Sequence, residues 1–209
     1  MKIKILIISD WVETIIYSEN IKKRFSDIDF IISCGDLPFN YLDFIVTNLN
    51  KPLFFIFGNH VKCKINADGK AIAPPGFINI HKKIKKIKNL WIAGHHGSLW
   101  YNGGPYQYRQ YQVYLNCFIL GIKIFFRKLF LKKNIDIFIS HAPPFNYNDR
   151  KDLCHRGFKA FALFHNIFKP KYHVHGHVHI IHNNEKRNIT YKSTEIINCS
   201  GFYILEIEK

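Results

Sequence analysis

Three histidines stand at alternating positions in His175-Gly176-His177-Val178-His179, directly after the apolar-leaning run 170–174. If that run enters as a strand and turns at Gly176, side chains beyond the turn can converge on one point instead of alternating between faces. Neutral imidazole is the commonest metal ligand among protein side chains, so convergent histidines point to a metal site. In a chain with 12 histidines, a solvated His-rich loop reads equally well from this stretch alone.

Four other apolar runs shift the balance. The run 3–8 ends in Ser9-Asp10, and 30–32 leads into Ser33-Cys34-Gly35-Asp36. The run 53–57 ends in Gly58-Asn59-His60, and 135–139 ends in Ser140-His141. Short β-rich runs of this kind read as buried strands. Ligands of open α/β sheets collect beyond the carboxyl ends of the strands. Five strands that each deliver Asp, Asn or His to that edge predict a polynuclear metal site made of Asp10, Asp36, Asn59, His141, His177 and His179. Such an oxygen and nitrogen donor set suits Mn, Fe, Zn or Ni better than Ca or a thiolate cluster. One carboxylate can bridge two ions about 3.5–4 Å apart, and the pair lowers the pKa of a bound water and neutralises charge on a phosphoryl group. His60 would point at the same cavity, where it can protonate a leaving oxygen or clamp a phosphoryl oxygen.

The elements that must position these residues follow from periodicity. Residues 12–25 and 40–49 suit helices between the first three strands, a βαβαβ opening that predicts parallel strands with helical crossovers. Residues 61–75 read as a loop with Asp68-Gly69 and Pro74-Pro75-Gly76 as turn markers, and the basic run 81–88 as a solvated face. A fourth strand at 90–93 ends in Gly94-His95-His96-Gly97, followed by an aromatic loop through Trp100 and Tyr101. The longest helical candidate, 107–133, carries Val113, Cys117, Leu120 and Ile124 on one face. Its lysines would face water while it covers a sheet, the favoured reading. Its broad apolar surface, with Phe118, Ile122, Phe125 and Leu129, also keeps a peripheral membrane contact open. Residues 188–191, 195–199 and 202–207 read as closing strands.

With 209 residues, 47% hydrophobic and 16% aromatic content, the chain reads as one folded domain spanning 1–209. No stretch of about 20 apolar residues exists, so a transmembrane span is not expected. The short apolar N-terminus reads as a first strand and not a signal peptide, which makes the expected compartment cytoplasmic. Five cysteines with no paired spacing fit reduced thiols. The net charge of +15 fits either a polyanionic partner, such as nucleic acid or an anionic membrane, or an AT-biased coding sequence. Because the lysines are scattered, the compositional reading is favoured and nucleic acid is not.

At the strand-end residues the chain resembles the calcineurin-like metallophosphoesterase superfamily. Of that family's D-x-H motif only Asp10 is met, since Val12 stands at the histidine position. Gly35-Asp36 matches G-D, and Gly58-Asn59-His60-Val61 matches G-N-H without its final acidic residue. Ser140-His141 and Gly176-His177-Val178-His179 match the last two motifs. The resemblance implies an α/β fold, a four-layer α-β-β-α sandwich of two mixed sheets. It implies that Asn59, His141, His177 and bridging Asp36 hold one divalent ion, and that Asp10, His179 and Asp36 hold the other. Without an imidazole at 12 the second ion is expected to bind more weakly, unless Glu13 or His95 takes its place.

Two groups stay open. His95 and His96 can face the cavity or the surface. His155 and Arg156, in His155-Arg156-Gly157-Phe158, can contact a phosphate oxygen, or the stretch can serve packing by Phe158 and Phe161. The leading expectation is a phosphoesterase acting on a small monoester, diester or nucleotide anhydride through a metal-activated water. The alternative is a catalytically reduced scaffold acting as a binding module, motivated by Val12 and Val61.

Overall fold

The computed structural model describes residues 2–60, 72–180 and 185–208. Val61, and with it the missing acidic position, lies outside the described residues, as does Cys63. In chain order the elements are β1 (Lys2–Ser9), α1 (Ile21–Phe25), β2 (Phe30–Ser33), α2 (Phe39–Leu49), β3 (Leu53–Phe55), β4 (Ile78–Asn79), β5 (Ile84–Ile87) and β6 (Leu90–His95). They continue with β7 (Ser98–Leu99), β8 (Gln107–Tyr108), α3 (Gln110–Leu131), β9 (Ile137–Ser140), α4 (Lys159–Phe168), β10 (Tyr172–His175), β11 (Asn188–Tyr191), β12 (Thr194–Asn198) and β13 (Gly201–Glu208).

Two mixed sheets stand face to face. One has the order β13-β1-β2-β3-β4, parallel except for the β13–β1 pair. The other runs β11-β12-β10-β9-β6-β5, with antiparallel pairs only at its two edges. Successive residues of a strand point to opposite faces, and here both faces are covered, which explains the continuous apolar runs. Ile3, Ile5 and Ile7 of β1 meet Ile137 and Ile139 of β9 between the sheets. Leu6 and Ile8 face the other way, toward Ile21 of α1 and Tyr41, Leu42 and Ile45 of α2. On the far side Phe138 packs with Phe161 and Phe164 of α4 and with Val113, Leu120 and Ile124 of α3. The order of layers is therefore α1/α2, sheet, sheet, α3/α4, the four-layer sandwich.

Three expectations need correction. The helix at 12–25 is only α1, five residues long. Asp10 has φ 73 and Trp11 N donates to Ser9 O, so the chain turns sharply on leaving β1. A helix starts only where Ile21 and Phe25, four apart, can both drop onto the sheet. The basic run 81–88 does expose Lys83, Lys85, Lys86 and Lys88, but half of it, 84–87, is the edge strand β5, paired with β6 in register Ile84↔Ala93. Its outward Lys85 and Lys86 are exposed, a charge pattern that discourages further pairing at a sheet edge. The long helix at 107–133 is narrower, Gln110–Leu131, opened by reciprocal bonds between Arg109 and Gln112. Its residues 107–108 form β8 instead.

The core packing makes one measurable claim. Phe161 is fully buried and touches the rings of Phe138, Phe158, His95 and His173. Phe161→Ala should lower unfolding free energy by about 3–5 kcal/mol in urea titrations. A loss below about 1 kcal/mol would show that this layer is not the packed core described.

Candidate metal centre

Strand ends build the site. Asp10 follows β1, Asp36 follows β2, Asn59 follows β3, and His141 follows β9. His177 lies beyond the end of β10. Asp10, Asp36 and His177 all have positive φ, respectively 73, 60 and 67, so each strand breaks into a left-handed turn where its functional side chain emerges. For non-glycine residues this conformation is uncommon and worth explaining by function. The glycines beside them allow close approach. A Cβ on Gly58 would lie 2.0 Å from Asp36 Oδ1, and one on Gly176 would lie 1.9 Å from Ser9 Oγ and 2.8 Å from Asp10 Oδ2.

Ligand atoms of Asp10, Asp36 and His141 all lie within 4.8 Å of one another, and all three residues are buried. His141 Nδ1 donates to Cys34 O at 2.8 Å. Its Nε2 faces Asn59 Oδ1 at 3.0 Å and Asp36 Oδ2 at 3.1 Å. Asn59 is oriented this way because its Nδ2 donates to the Tyr101 hydroxyl at 3.1 Å. Every atom facing the His141 ring nitrogens is therefore an acceptor, which requires an imidazolium. Burial alone would lower the His141 pKa, but the Asp36 and Asp10 carboxylates override it and push it up to about 9. Burial likewise raises Asp36, yet His141 and the His60 backbone N–H (2.8 Å to Oδ1) leave it below the usual carboxylate range. For Asp10 burial prevails and the pKa is raised, although His141 and the His177 N–H oppose it. That N–H donates to both Asp10 oxygens, at 2.9 and 3.1 Å.

This arrangement fits a divalent cation. Asp36, Asn59 and His141 aim an oxygen, an oxygen and a nitrogen at one point now bridged by the Nε2 proton, and an ion can replace that proton. His177 sits alongside, its ring 4.8 Å from that of His141. Its Nε2 donates to Cys154 O at 2.6 Å, which leaves Nδ1 with the free lone pair. Burial, the largest effect, lowers its pKa to about 3, so the ring is neutral as a ligand must be.

The remaining candidates are less tightly gathered. His179 is exposed and meets the Trp11 ring edge-on at 5.2 Å. Val12 is also exposed, and Glu13 Oε1 accepts from Trp11 Nε1 at 2.8 Å. His60 is exposed at the mouth of a cleft lined by Gly35, Asp36 and Gly58. His155 lies 5.3 Å from the His177 ring, whereas Arg156 turns away, donating to Lys151 O. Phe158, the packing element of that stretch, is fully buried. On the same loop Asp152, Cys154 and His155 form a second tight cluster, with Sγ and Nδ1 each 2.8 Å from Asp152 Oδ1.

His95 and His96 face neither cavity nor solvent. His96 stacks on His81 at 4.0 Å, and its Nδ1 accepts from Phe57 N, which braces the strand end leading to Asn59. His95 Nδ1 donates to His96 O and its Nε2 lies 3.1 Å from Asn116, so it is no substitute ligand. Sequence reasoning missed Tyr101 and the brace formed by His81 and His96. It also missed Asn198, whose Nδ2 donates to Val178 O and ties down the 176–179 turn. The aromatic loop around Tyr101 was the one visible signal.

Fold and site together define a two-sheet phosphoesterase scaffold with a candidate Asp/His/Asn metal centre at its strand ends. A model of the calcineurin-like phosphoesterase family matches residues 3–180, and the chain belongs to that family. Solved structures agree in fold. One is 15% identical with TM-score 0.66, covering 99% of this chain and 95% of that one. Another is TT1561 of Thermus thermophilus, 15% identical with TM-score 0.60 over 96% and 90% of the two chains. A third is GAP50 of Plasmodium, described as the anchor in the inner membrane complex, 15% identical with TM-score 0.55 over 98% and 81%. No curated protein matches the sequence as a relative.

Two measurements test this geometry. His141 titrates near 9 in the folded chain against an ordinary value near 6.5. A raised pKa stabilises the fold fully below the unfolded value and loses that contribution as pH rises through the folded one. Metal-free protein should therefore lose stability between about pH 6.5 and 9, and His141→Gln should flatten that slope; an equal slope in both would refute the imidazolium. Tyr101→Phe removes the group that turns Asn59, and metal affinity should fall about 10–100-fold while the melting temperature of metal-free protein barely moves.

Proposed function

We propose that this chain is a cytoplasmic, two-metal phosphoesterase acting on a small phosphomonoester, phosphodiester or nucleotide anhydride. The observation that carries the reading is the convergence of Asp36, Asn59 and His141 on one cation position, with Asp10 beside it. In the proposal Asp36, Asn59, His141 and His177 hold one divalent ion. Asp10, Asp36 and His179 hold the second. Mn, Fe, Zn or Ni fits these donors. When bound, the ions supply an activated water and neutralise phosphoryl charge.

The chain's own residues do the rest. Asp36 would contribute to both ion positions, and its Oδ1 accepts from the His60 N–H, which sets its orientation before substrate arrives. The exposed His60 ring donates a proton to the leaving oxygen or a hydrogen bond to a phosphoryl oxygen. His155, next to His177, lies near enough to contact substrate, while Arg156 must first release Lys151 O. The second reading, a binding module on a reduced phosphoesterase scaffold, is favoured by one feature, the exposed Val12 at the position of a ligand histidine.

Mn-loaded protein offered a monoester, a diester and pyrophosphate should turn over at least one of them, with His60→Ala slower by about 10²–10⁴-fold. No turnover with any divalent ion, together with a partner that binds metal-free protein unchanged, would transfer the reading to the module. The two ions should also differ. Calorimetry should resolve one tight and one weak site, and Val12→His should tighten the weak one about 10–100-fold. Two equal sites in the unmodified chain would contradict the assignment of position 12.

A further inference from the structure

Helix α3 is apolar on two opposite faces. Val113, Cys117, Leu120 and Ile124 are buried against β9 and α4, as a sheet-covering helix requires. On the opposite side Tyr111, Leu115, Phe118, Phe125, Leu129 and Phe130 are each 58–76% exposed. With the half-exposed Ile122, the residues from Tyr111 to Leu129 recur every three or four positions, one stripe along a helix about 33 Å long at 1.5 Å per residue, with Phe130 at its flank. Leu163 and Ile167 of α4 extend it, and a groove of about 950 Å³ runs between the two helices over Gly121. The ring of Phe168 lies against Gly121, where a Cβ would come within 2.7 Å of it, so the groove floor needs that glycine. Contiguous exposed apolar surface of this kind marks an interaction site.

Charge identifies what covers it. Residues 110–135 contain Lys123, Arg127, Lys128, Lys132 and Lys133 and no acidic residue; residues 159–171 contain Lys159, Lys169 and Lys171 and again none. Arg127 is folded back over the Trp91 ring at 3.2 Å, but the lysines are exposed. A symmetric contact between two copies would press these cationic rims together, whereas an anionic surface would be attracted to them. No helix among the described residues is long and apolar enough to cross a membrane, so contact would be along the surface. We propose that the outer face of α3, with Leu163 and Ile167 of α4, docks flat on an anionic lipid bilayer, its aromatic and aliphatic side chains entering the interface and its lysines meeting the headgroups.

The test is flotation of the full-length chain with vesicles of phosphatidylglycerol in phosphatidylcholine, against phosphatidylcholine alone. Binding should need the anionic lipid and weaken with salt. The triple change Phe118→Ser, Phe125→Ser and Leu129→Ser should lower it at least about a hundredfold. Lys123→Gln, Lys128→Gln and Lys132→Gln should each cost about fivefold. All six side chains are exposed, so melting temperatures should stay within a few degrees, a control measured alongside. No flotation of the unmodified chain at low salt would overturn the proposal. So would flotation unaffected by the triple serine change, or a dimer that the change dissociates while vesicles leave it intact.

Discussion

Two carboxylates held in a nearly water-free pocket need positive charge, and the architecture around the site follows from that requirement. Asp10 and Asp36 are largely buried and close to each other, and each raises the cost of ionising the other. Removing a charge from water costs several kcal/mol unless a partner compensates. The compensation here is His141, fully buried and fixed by Cys34 O on one side and by Asp36 and Asn59 on the other. His141 follows β9 of one sheet, whereas Asp10, Cys34, Asp36 and Asn59 lie beyond the ends of β1, β2 and β3 of the other. The two sheets must therefore stack in register before the charges can balance, which makes the site a product of tertiary packing and not of any local motif.

That dependence explains what could be read in advance. Strands covered on both faces appear as unbroken apolar runs, so β1, β2, β3, β9 and β10 and the polar residues at their ends were legible, whereas the four layers followed only from the family resemblance those residues carry. Elements held by a single contact were not. Residues 12–20 have helical composition, but the turn that presents Asp10 uses up their beginning, and α1 forms late. Strand β5 reads as a lysine-rich surface because an edge strand half-buries only one apolar residue on each face, Ile84 toward the helices and Ile87 between the sheets. Tyr101 was invisible as a positioning group because its partner, Asn59, lies 42 residues away and no periodicity links them.

The histidines divide into two populations that sequence cannot separate. His141 is charged because every neighbour accepts a hydrogen bond. His81, His95 and His96 stack among themselves, where burial lowers His81 to about 2 and His95 to about 4, so the group is neutral at physiological pH. A second buried group, His165, His173 and His175, is neutral for the same reason. A charged ring stacked 4.0 Å from another would repel it in low dielectric, so these rings act as shaped, weakly polar core residues. Only their neighbours distinguish a ligand from packing material.

The same reasoning gives the two halves of the proposed metal centre different character. Around His141, each donor is pinned by a bond outside the site: Asn59 by Tyr101, His141 by Cys34 O, His177 by Cys154 O. Groups held this way lose little freedom when an ion arrives, and preorganised donors bind more tightly. On the other half Asp10 is fixed by the His177 N–H, but His179 is exposed against Trp11, and position 12 carries an exposed valine. An ion there would have to order an exposed imidazole and complete its coordination with water. The proposed asymmetry would thus have two physical sources, a missing imidazole at position 12 and an unrestrained one at 179, and only the first was visible as a residue type.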